Sequence, residues 1–439
     1  MKNKNLLFYF VVLSIIILLT YRYINTIRIN SIVAMTVFRG IITEKSLWWY
    51  INDYFPDSTG YNIYQVLKKQ ERFVPVNIMG KRLYLLTELS DIHEMLYFSP
   101  NPFGPGDFKK DFFSSFMKRN VGISEGKEWI ARRKYNDKVL ETDRPHSMND
   151  IFSEYIYNML SNNKPTTFFE FRETSKKITS KIMFGTYEYN NIIYKIFNQA
   201  DSVMNVSFGI KTINQKDFQE YEEYLKQQLE TPKPNTLLYI GNKYHRIIPE
   251  QDIIEQIPHW IFPIVGIFTS HLPRLLVLLL NHPKDFDIVK REIKDKKYFL
   301  KTSYIRKCIL ELFRLNNIVN STFRKLSAPY QFSNYNRIFN TGDEFVYFNN
   351  SVLRDLFEEP HQFIPSRWNE KTEEEYRALM FNHDNQRCPG KELTISLLTY
   401  GCIHYLEMCN FNLKTNIKLN NKFIPYLINP CSIKFTLYE

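Results

Sequence analysis

The sequence predicts a mainly α-helical domain with small β-sheets, preceded by one N-terminal transmembrane helix. Three observations carry this expectation: long stretches with apolar residues at helical spacing, one uncharged apolar run near the start, and no Gly/Ser- or Pro-rich linker within residues 60–439. With 439 residues and 44% hydrophobic composition, the chain can bury a substantial core. The length would admit two or three domains, but the missing linker favours one. A formal net charge of +11 raises the question of nucleic acid. The lysines are scattered among Ile, Asn, Tyr and Phe rather than gathered in a stripe, so no nucleic-acid partner is expected.

Residues 6–19 (LLFYFVVLSIIILL) form the apolar run, with Lys2 and Lys4 before it and Arg22 after it. Extended by Thr20 and Tyr21, it approaches the roughly 20 residues that a spanning helix needs. A cleaved signal peptide would leave a small-residue cleavage site. Tyr21-Arg22-Tyr23 follows instead, so an uncleaved anchor in residues 1–24 is expected. Residues 25–59 then read as a linker and the start of the body, and residues 60–439 as the body itself. Basic residues on both flanks leave the orientation open.

Five cysteines, none in a CxxC pair, argue against a zinc site and a disulfide framework. Cys308, Cys402 and Cys409 sit in apolar helical stretches and read as core. Cys388 differs. In FNHDNQRCPGKELT it lies between Arg387 and a Pro-Gly pair, just ahead of the helical pattern that begins at Lys391. The free N–H groups of a helix start, together with Arg387, should favour its thiolate. Gly390 would let backbone approach a large flat metal cofactor. Taken alone, a structural buried cysteine explains this loop better.

Other motifs precede it in order. IRKCILELFRLNN places Glu311 and Arg314 one turn apart on one helix face, where they can pair and hold a third charge. FEEPHQFIPSRWNE, about fifty residues later, is a rigid aromatic loop whose Arg367 can be that charge. NTGDEFVYFNN reads as a turn and strand. EGKEWIARRKY presents Trp129 and Arg133 at i and i+4, so an apolar ring and an anion-binding group share a face.

In this order and spacing the residues resemble the cytochrome P450 family of haem-thiolate monooxygenases. Phe381, Cys388 and Gly390 match positions of the cysteine loop. Glu311 and Arg314 match the E-x-x-R pair, and Arg367 the arginine of the following meander. Trp129 and Arg133 match the W-x-x-x-R helix, and Arg324 a strand arginine that reaches a haem propionate. Residues 72–96 resemble the early hairpin, with Ser90 or Asp91 capping the next helix. The resemblance implies the cytochrome P450 fold and haem b bound through Cys388, with Arg133, Arg324 and Arg387 on its propionates. It also implies electrons from NADPH through a reductase, and insertion of one oxygen atom into an apolar lipid, sterol or xenobiotic-like substrate. The pocket would draw on residues 99–108 and the distal helix.

Four positions depart from the pattern: Asp384 replaces a glycine, Gln386 an arginine and Thr394 an alanine, and Phe268 stands where an acid is common. The distal helix IPHWIFPIVGIFTSHLPRLLVLLLNHP offers Gly266 and Thr269 as the oxygen-handling turn. Pro273 cannot donate to the Thr269 carbonyl, so the helix is expected to open at Gly266–Thr269 into a polar notch. Restoring Asp at position 268 is expected to improve coupling. Thr269-Ser270 also resembles a pair in the sterol demethylase branch. Two rival functions remain at this stage: a haem-thiolate isomerase or dehydratase of oxygenated lipids, and a non-catalytic haem-binding membrane protein. The resemblance places the body on the cytosolic side of an endoplasmic reticulum-type membrane, so the sequons at Asn205, Asn320 and Asn349 should stay unmodified.

Overall fold

The computed structural model describes residues 59–438 apart from 70, 79–80, 206–211, 297–302, 318, 320, 415–418, 420–421 and 426–427. The expected anchor at 1–24 and the segment to 58 lie outside the described residues. The larger sheet contains β1 (Phe73–Ile78), β2 (Lys81–Leu86), β3 (Phe103–Pro105), β4 (Ser321–Leu326) and β7 (Glu344–Phe348), in the order β1-β2-β7-β4-β3. Two-stranded pairs follow from β5 (Tyr330–Gln331) with β6 (Ile338–Phe339), and from β8 (Asn410–Leu413) with β9 (Phe435–Tyr438). Only the β2–β7 pairing within the larger sheet is parallel, with Tyr84 opposite Phe345. All five residues of β7 are buried, which explains its run of Phe, Val and Tyr: a central strand covered on both faces is not held to polar alternation.

The hairpin of residues 72–96 forms as β1 and β2, but the next helix, Leu89–Tyr97, starts two or three residues earlier than expected. Glu88 is its N-cap and makes no side-chain cap bond. Asp91, expected as a cap, is buried and accepts both Nε (2.8 Å) and an Nη of Arg72. A guanidinium fork satisfies both carboxylate oxygens at once, which a single cap N–H cannot do.

Helices make up the rest. Phe168–Phe184 opens with a Thr167/Glu170 capping box and ends at Gly185 in the left-handed region, φ 75°. A Cβ there would meet Lys233 at 3.0 Å. This helix supports the longest one, Glu250–Asn281: Ser175 Oγ donates to the Val265 carbonyl at 2.9 Å. The long helix is apolar and long enough to cross a membrane, yet it is mostly buried among the other elements and serves as the core of the domain.

The helix opens close to the expected Gly266–Thr269 turn, as a widened turn rather than a break. An α-helix runs from Glu250 to Gly266, widens into a π turn over Ile267–His271, and resumes as Leu272–Asn281. Leu272 N–H bonds Ile267 O, five residues back. Pro273 thereby falls in the first turn of a new α segment, where a missing N–H costs little. Asn349 is buried, with its Nδ2 donating to Leu379 O at 2.7 Å, so this sequon offers no acceptor in the folded protein.

Candidate functional site

Cys388 lies between two well-anchored helices. Glu370–Phe381 ends at Phe381, whose carbonyl accepts the Cys388 N–H at 2.6 Å. Lys391–Met408 starts just beyond Gly390, its N-cap. Three elements clamp the loop from below. Arg306, from the helix Tyr304–Leu315, donates to Glu373 at 2.6 and 3.0 Å and to Glu392 at 2.9 and 3.0 Å. Lys391 adds contacts of 2.6 Å to Glu373 and 3.3 Å to Glu392. Burial opposes the charged forms of Glu373 and Glu392, but Arg306 and Lys391 outweigh it and hold both below the usual carboxylate range.

Behind this clamp, Arg314 forks onto Glu311 with two 2.8 Å bonds, both side chains being 0% exposed. Arg367 Nε lies 3.3 Å from Glu311 Oε1. Trp368 Nε1 donates to Glu311 Oε2 at 2.8 Å, and the Ile364 N–H to Oε1 at 3.0 Å. The structure thus brings Glu311, Arg314 and Arg367 together, and adds Trp368, which the sequence reading used only as an aromatic member of the loop.

Burial pushes the Cys388 thiol up, while the Gly390 N–H, Arg133 and Lys391 pull against it. The expected preference for thiolate is therefore not supplied by the protein groups alone, because desolvation outweighs them. Arg387, expected on a propionate, instead pairs with Asp143 at 2.9 Å, a carboxylate of the chain's own. Arg133 donates to the Arg387 carbonyl and pairs with Asp137 at 2.8 Å. Trp129 is half-buried one turn before it on the helix Gly126–Val139.

Two features fit a large anionic ring system on this loop. A Cβ at Gly390 would meet only Leu140 Cδ1, at 3.8 Å, so the space beside the cysteine is open. Arg324 is buried on β4 and, among the described residues, its partners are neutral: Ser99 Oγ at 3.0 Å, the Phe323 carbonyl at 2.9 Å and Asn382 Oδ1 at 3.2 Å. A buried guanidinium without a carboxylate suits a propionate. Haem is therefore compatible with these residues.

The distal helix differs from expectation. Thr269 and Ser270 are fully buried and neither hydroxyl has a hydrogen-bond partner among the described residues. Phe268 packs on Gly401 of the cysteine helix, where a Cβ would come within 3.0 Å of its ring. The ring thus fills space against that helix. His271, which the sequence reading passed over, bridges the π turn: Nε2 lies 3.1 Å from Asn316 O and Nδ1 3.4 Å from Gly266 O. Burial first, then Arg274, lowers its pKa to about 3, so it is neutral. A histidine two residues after Thr269 and beside Pro273 was the available signal.

Helices surround a small mixed sheet, with a cysteine loop held over an E-x-x-R clamp, and this arrangement was compared with known proteins. The cytochrome P450 family model matches residues 275–436. Cytochrome P450 85A2 of Arabidopsis thaliana is 27% identical over 179 residues, 37% of each chain. Cytochrome P450 85A1 of Solanum lycopersicum is 29% identical over 142 residues, covering 29% of this chain and 30% of the relative. The match thus spans about a third of the length of these curated relatives. A mitochondrial cholesterol side-chain cleavage enzyme of Hypanus americanus is 22% identical over 369 residues, 80% of this chain and 65% of that one. Among solved structures, a cytochrome P450 (CYP102L1) superposes with TM-score 0.68 at 13% identity, covering 86% of this chain and 98% of that one. A retinoic acid-bound cyanobacterial CYP120A1 gives 0.65 at 16% identity, covering 86% and 94%. At such identities the structures speak for the fold alone. The family model, over residues 275–436, and the curated relatives are thus those of cytochrome P450s, and the fold is the one those solved structures share.

Proposed function

We propose that this protein is a haem-thiolate monooxygenase that inserts one oxygen atom from O2 into an apolar substrate, with electrons from NADPH through a reductase partner. One observation carries the reading: Cys388 sits beside open space in a loop tied to Phe381 and clamped through Glu373, Lys391 and Glu392. When bound, haem b supplies the oxygen activation and electron transfer of this family. Cys388 would hold its iron through the sulfur, and Phe381 would hold the ligand loop through its carbonyl. Trp129 would cover the ring edge, while Arg133 and Arg324 would take the propionates. Arg387 would join that set by giving up Asp143, as Arg133 would by giving up Asp137. Gly266 and Thr269 would line the distal side, with the Thr269 hydroxyl holding a proton. Residues 60–439 would form this domain and residues 1–24 its membrane anchor, with the body on the cytosolic side of an endoplasmic reticulum-type membrane. Carbonate extraction with and without residues 1–24 tests the anchor.

A second reading is favoured by Phe268 and by the partnerless Thr269: a haem-thiolate isomerase or dehydratase of oxygenated lipids, which would need neither acid nor reductase. Turnover assays separate the two. A monooxygenase requires reductase and NADPH, and Thr269→Ala diverts consumed NADPH to hydrogen peroxide. Rapid rearrangement of lipid hydroperoxides without NADPH, indifferent to Thr269→Ala, would instead establish the isomerase.

A further inference from the structure

A buried hydroxyl on a helix ordinarily turns back to the carbonyl three or four residues earlier. Thr399, on helix Lys391–Met408, does so and donates to Ile395 O at 2.8 Å. Thr269 on the distal helix does not: it is fully buried, and its Oγ1 has no hydrogen-bond partner among the described residues. The two carbonyls in its reach are those of Gly266 and Val265, and another side chain meets each of them. His271 Nδ1 lies 3.4 Å from Gly266 O. Ser175, from the neighbouring helix Phe168–Phe184, donates its hydroxyl to Val265 O at 2.9 Å.

The Ser175 bond is the informative one, because the Phe171 carbonyl stands in the back-bonding position of its own helix and the hydroxyl crosses to the distal helix instead. A helical carbonyl has two lone pairs, of which the backbone N–H uses one, so a second donor fills it. Thr269 is thereby denied its local acceptor. Next to it the helix widens, with Leu272 N–H reaching back to Ile267 O, and the Ser270 hydroxyl is likewise buried with no partner among the described residues. An unmatched buried hydroxyl weakens a fold, so its persistence calls for something outside the helix to receive the bond.

We propose that Ser175 is a positioning residue: by filling Val265 O it keeps the Thr269 hydroxyl out of the helix and free to donate to a small guest on the distal side. The guest rests on the haem-enzyme reading, whereas the competition of two hydroxyls for one carbonyl does not. Ser175 touches neither guest nor cofactor and acts through Thr269 alone.

The test uses full-length holoprotein with Ser175→Ala, Ser175→Thr, Thr269→Val and the double variant Ser175→Ala/Thr269→Val. The urea midpoint, which needs no haem signal, reads the competition. Thr269→Val removes no hydrogen bond from the wild type and should not lower the midpoint; after Ser175→Ala it removes the new bond from Thr269 to Val265 O and should lower it. The C–O stretching frequency of the carbon monoxide complex reads the guest, because a hydrogen bond donated to its oxygen weakens the C–O bond and lowers the frequency. Ser175→Ala should raise the frequency to the Thr269→Val value, the double variant should add nothing further, and Ser175→Thr, which keeps the hydroxyl, should hold the wild-type value. A merely structural Ser175 would shift the midpoint and leave the frequency alone. The proposal is overturned if Ser175→Ala leaves the frequency at the wild-type value, or if Thr269→Val changes the midpoint equally in both backgrounds. Failure of the haem reading would appear separately, as wild type that forms no carbon monoxide complex, and the urea cycle would still decide whether Ser175 holds the carbonyl against Thr269.

Discussion

The two sides of the domain treat polar groups in opposite ways. On the cysteine side, Glu311 accepts from Arg314, Trp368 and the Ile364 N–H, and Arg306 divides its guanidinium between two carboxylates. On the distal side, the Thr269 and Ser270 hydroxyls are buried with no partner among the described residues. A satisfied buried network is costly to break because each deletion strands what remains, whereas an unpartnered hydroxyl contributes nothing that its removal could cost. The ligand loop is thus fixed by structure, and the distal helix retains polar atoms that the fold does not use.

That contrast is sharpest for Glu311→Ala. It leaves Arg314 and Arg367 as buried like charges at a cost of about 3–5 kcal/mol, so little folded holoprotein should be recovered. Normal yield and thermal midpoint would remove the clamp from the account. Phe268→Asp comes next. With the ring seated on Gly401, the change buries a carboxylate against a helix and should cost about 3 kcal/mol or more, read as a lowered urea midpoint. An unchanged midpoint with improved coupling would make position 268 a proton site. Trp368→Phe keeps an aromatic ring, though a smaller one, but removes one donor to a buried carboxylate, for about 1.5–3 kcal/mol by the same measurement.

Stability should also fall with acid, and the sign follows from the folded pKa values. His271 is lowered to about 3, so below the unfolded value of about 6.5 the unfolded chain binds the extra proton and folding weakens as pH falls towards 3. Glu373 and Glu392, held below the usual range, add to the loss once the pH drops through their own titration. Urea midpoints at pH 7 and pH 5 should differ less in His271→Leu than in wild type; equal differences would clear His271. The smallest effect belongs to Thr269→Ala, within about 0.5 kcal/mol of wild type, because no hydrogen bond is lost.

Legibility in the sequence followed the range of each interaction. Glu311 and Arg314 are one turn apart, and Arg367 lies on a loop whose Pro and Trp are visible, so the clamp could be expected. Cys388 stood out through Arg387, Pro389 and Gly390. The Arg306 network joins positions 67 and 86 residues apart on three elements, and no local pattern signals it. Arg387 looked available for an anion because nothing in the sequence places Asp143 beside it. Pro273 announced a break in the distal helix, but its resolution as a π turn depends on packing and on His271 meeting Asn316 from another helix. The membrane anchor belongs to residues outside those described.

The most direct test of the central claim, that Cys388 is the thiolate ligand, is the absorption spectrum of the reduced, carbon monoxide-bound protein. Thiolate donates more charge to haem iron than imidazole does, so wild type should give a strongly red-shifted Soret band. Cys388→Ser should abolish that band, and Cys402→Ser and Cys409→Ser should retain it. A band that survives Cys388→Ser, or one that disappears with Cys402→Ser, would contradict the account.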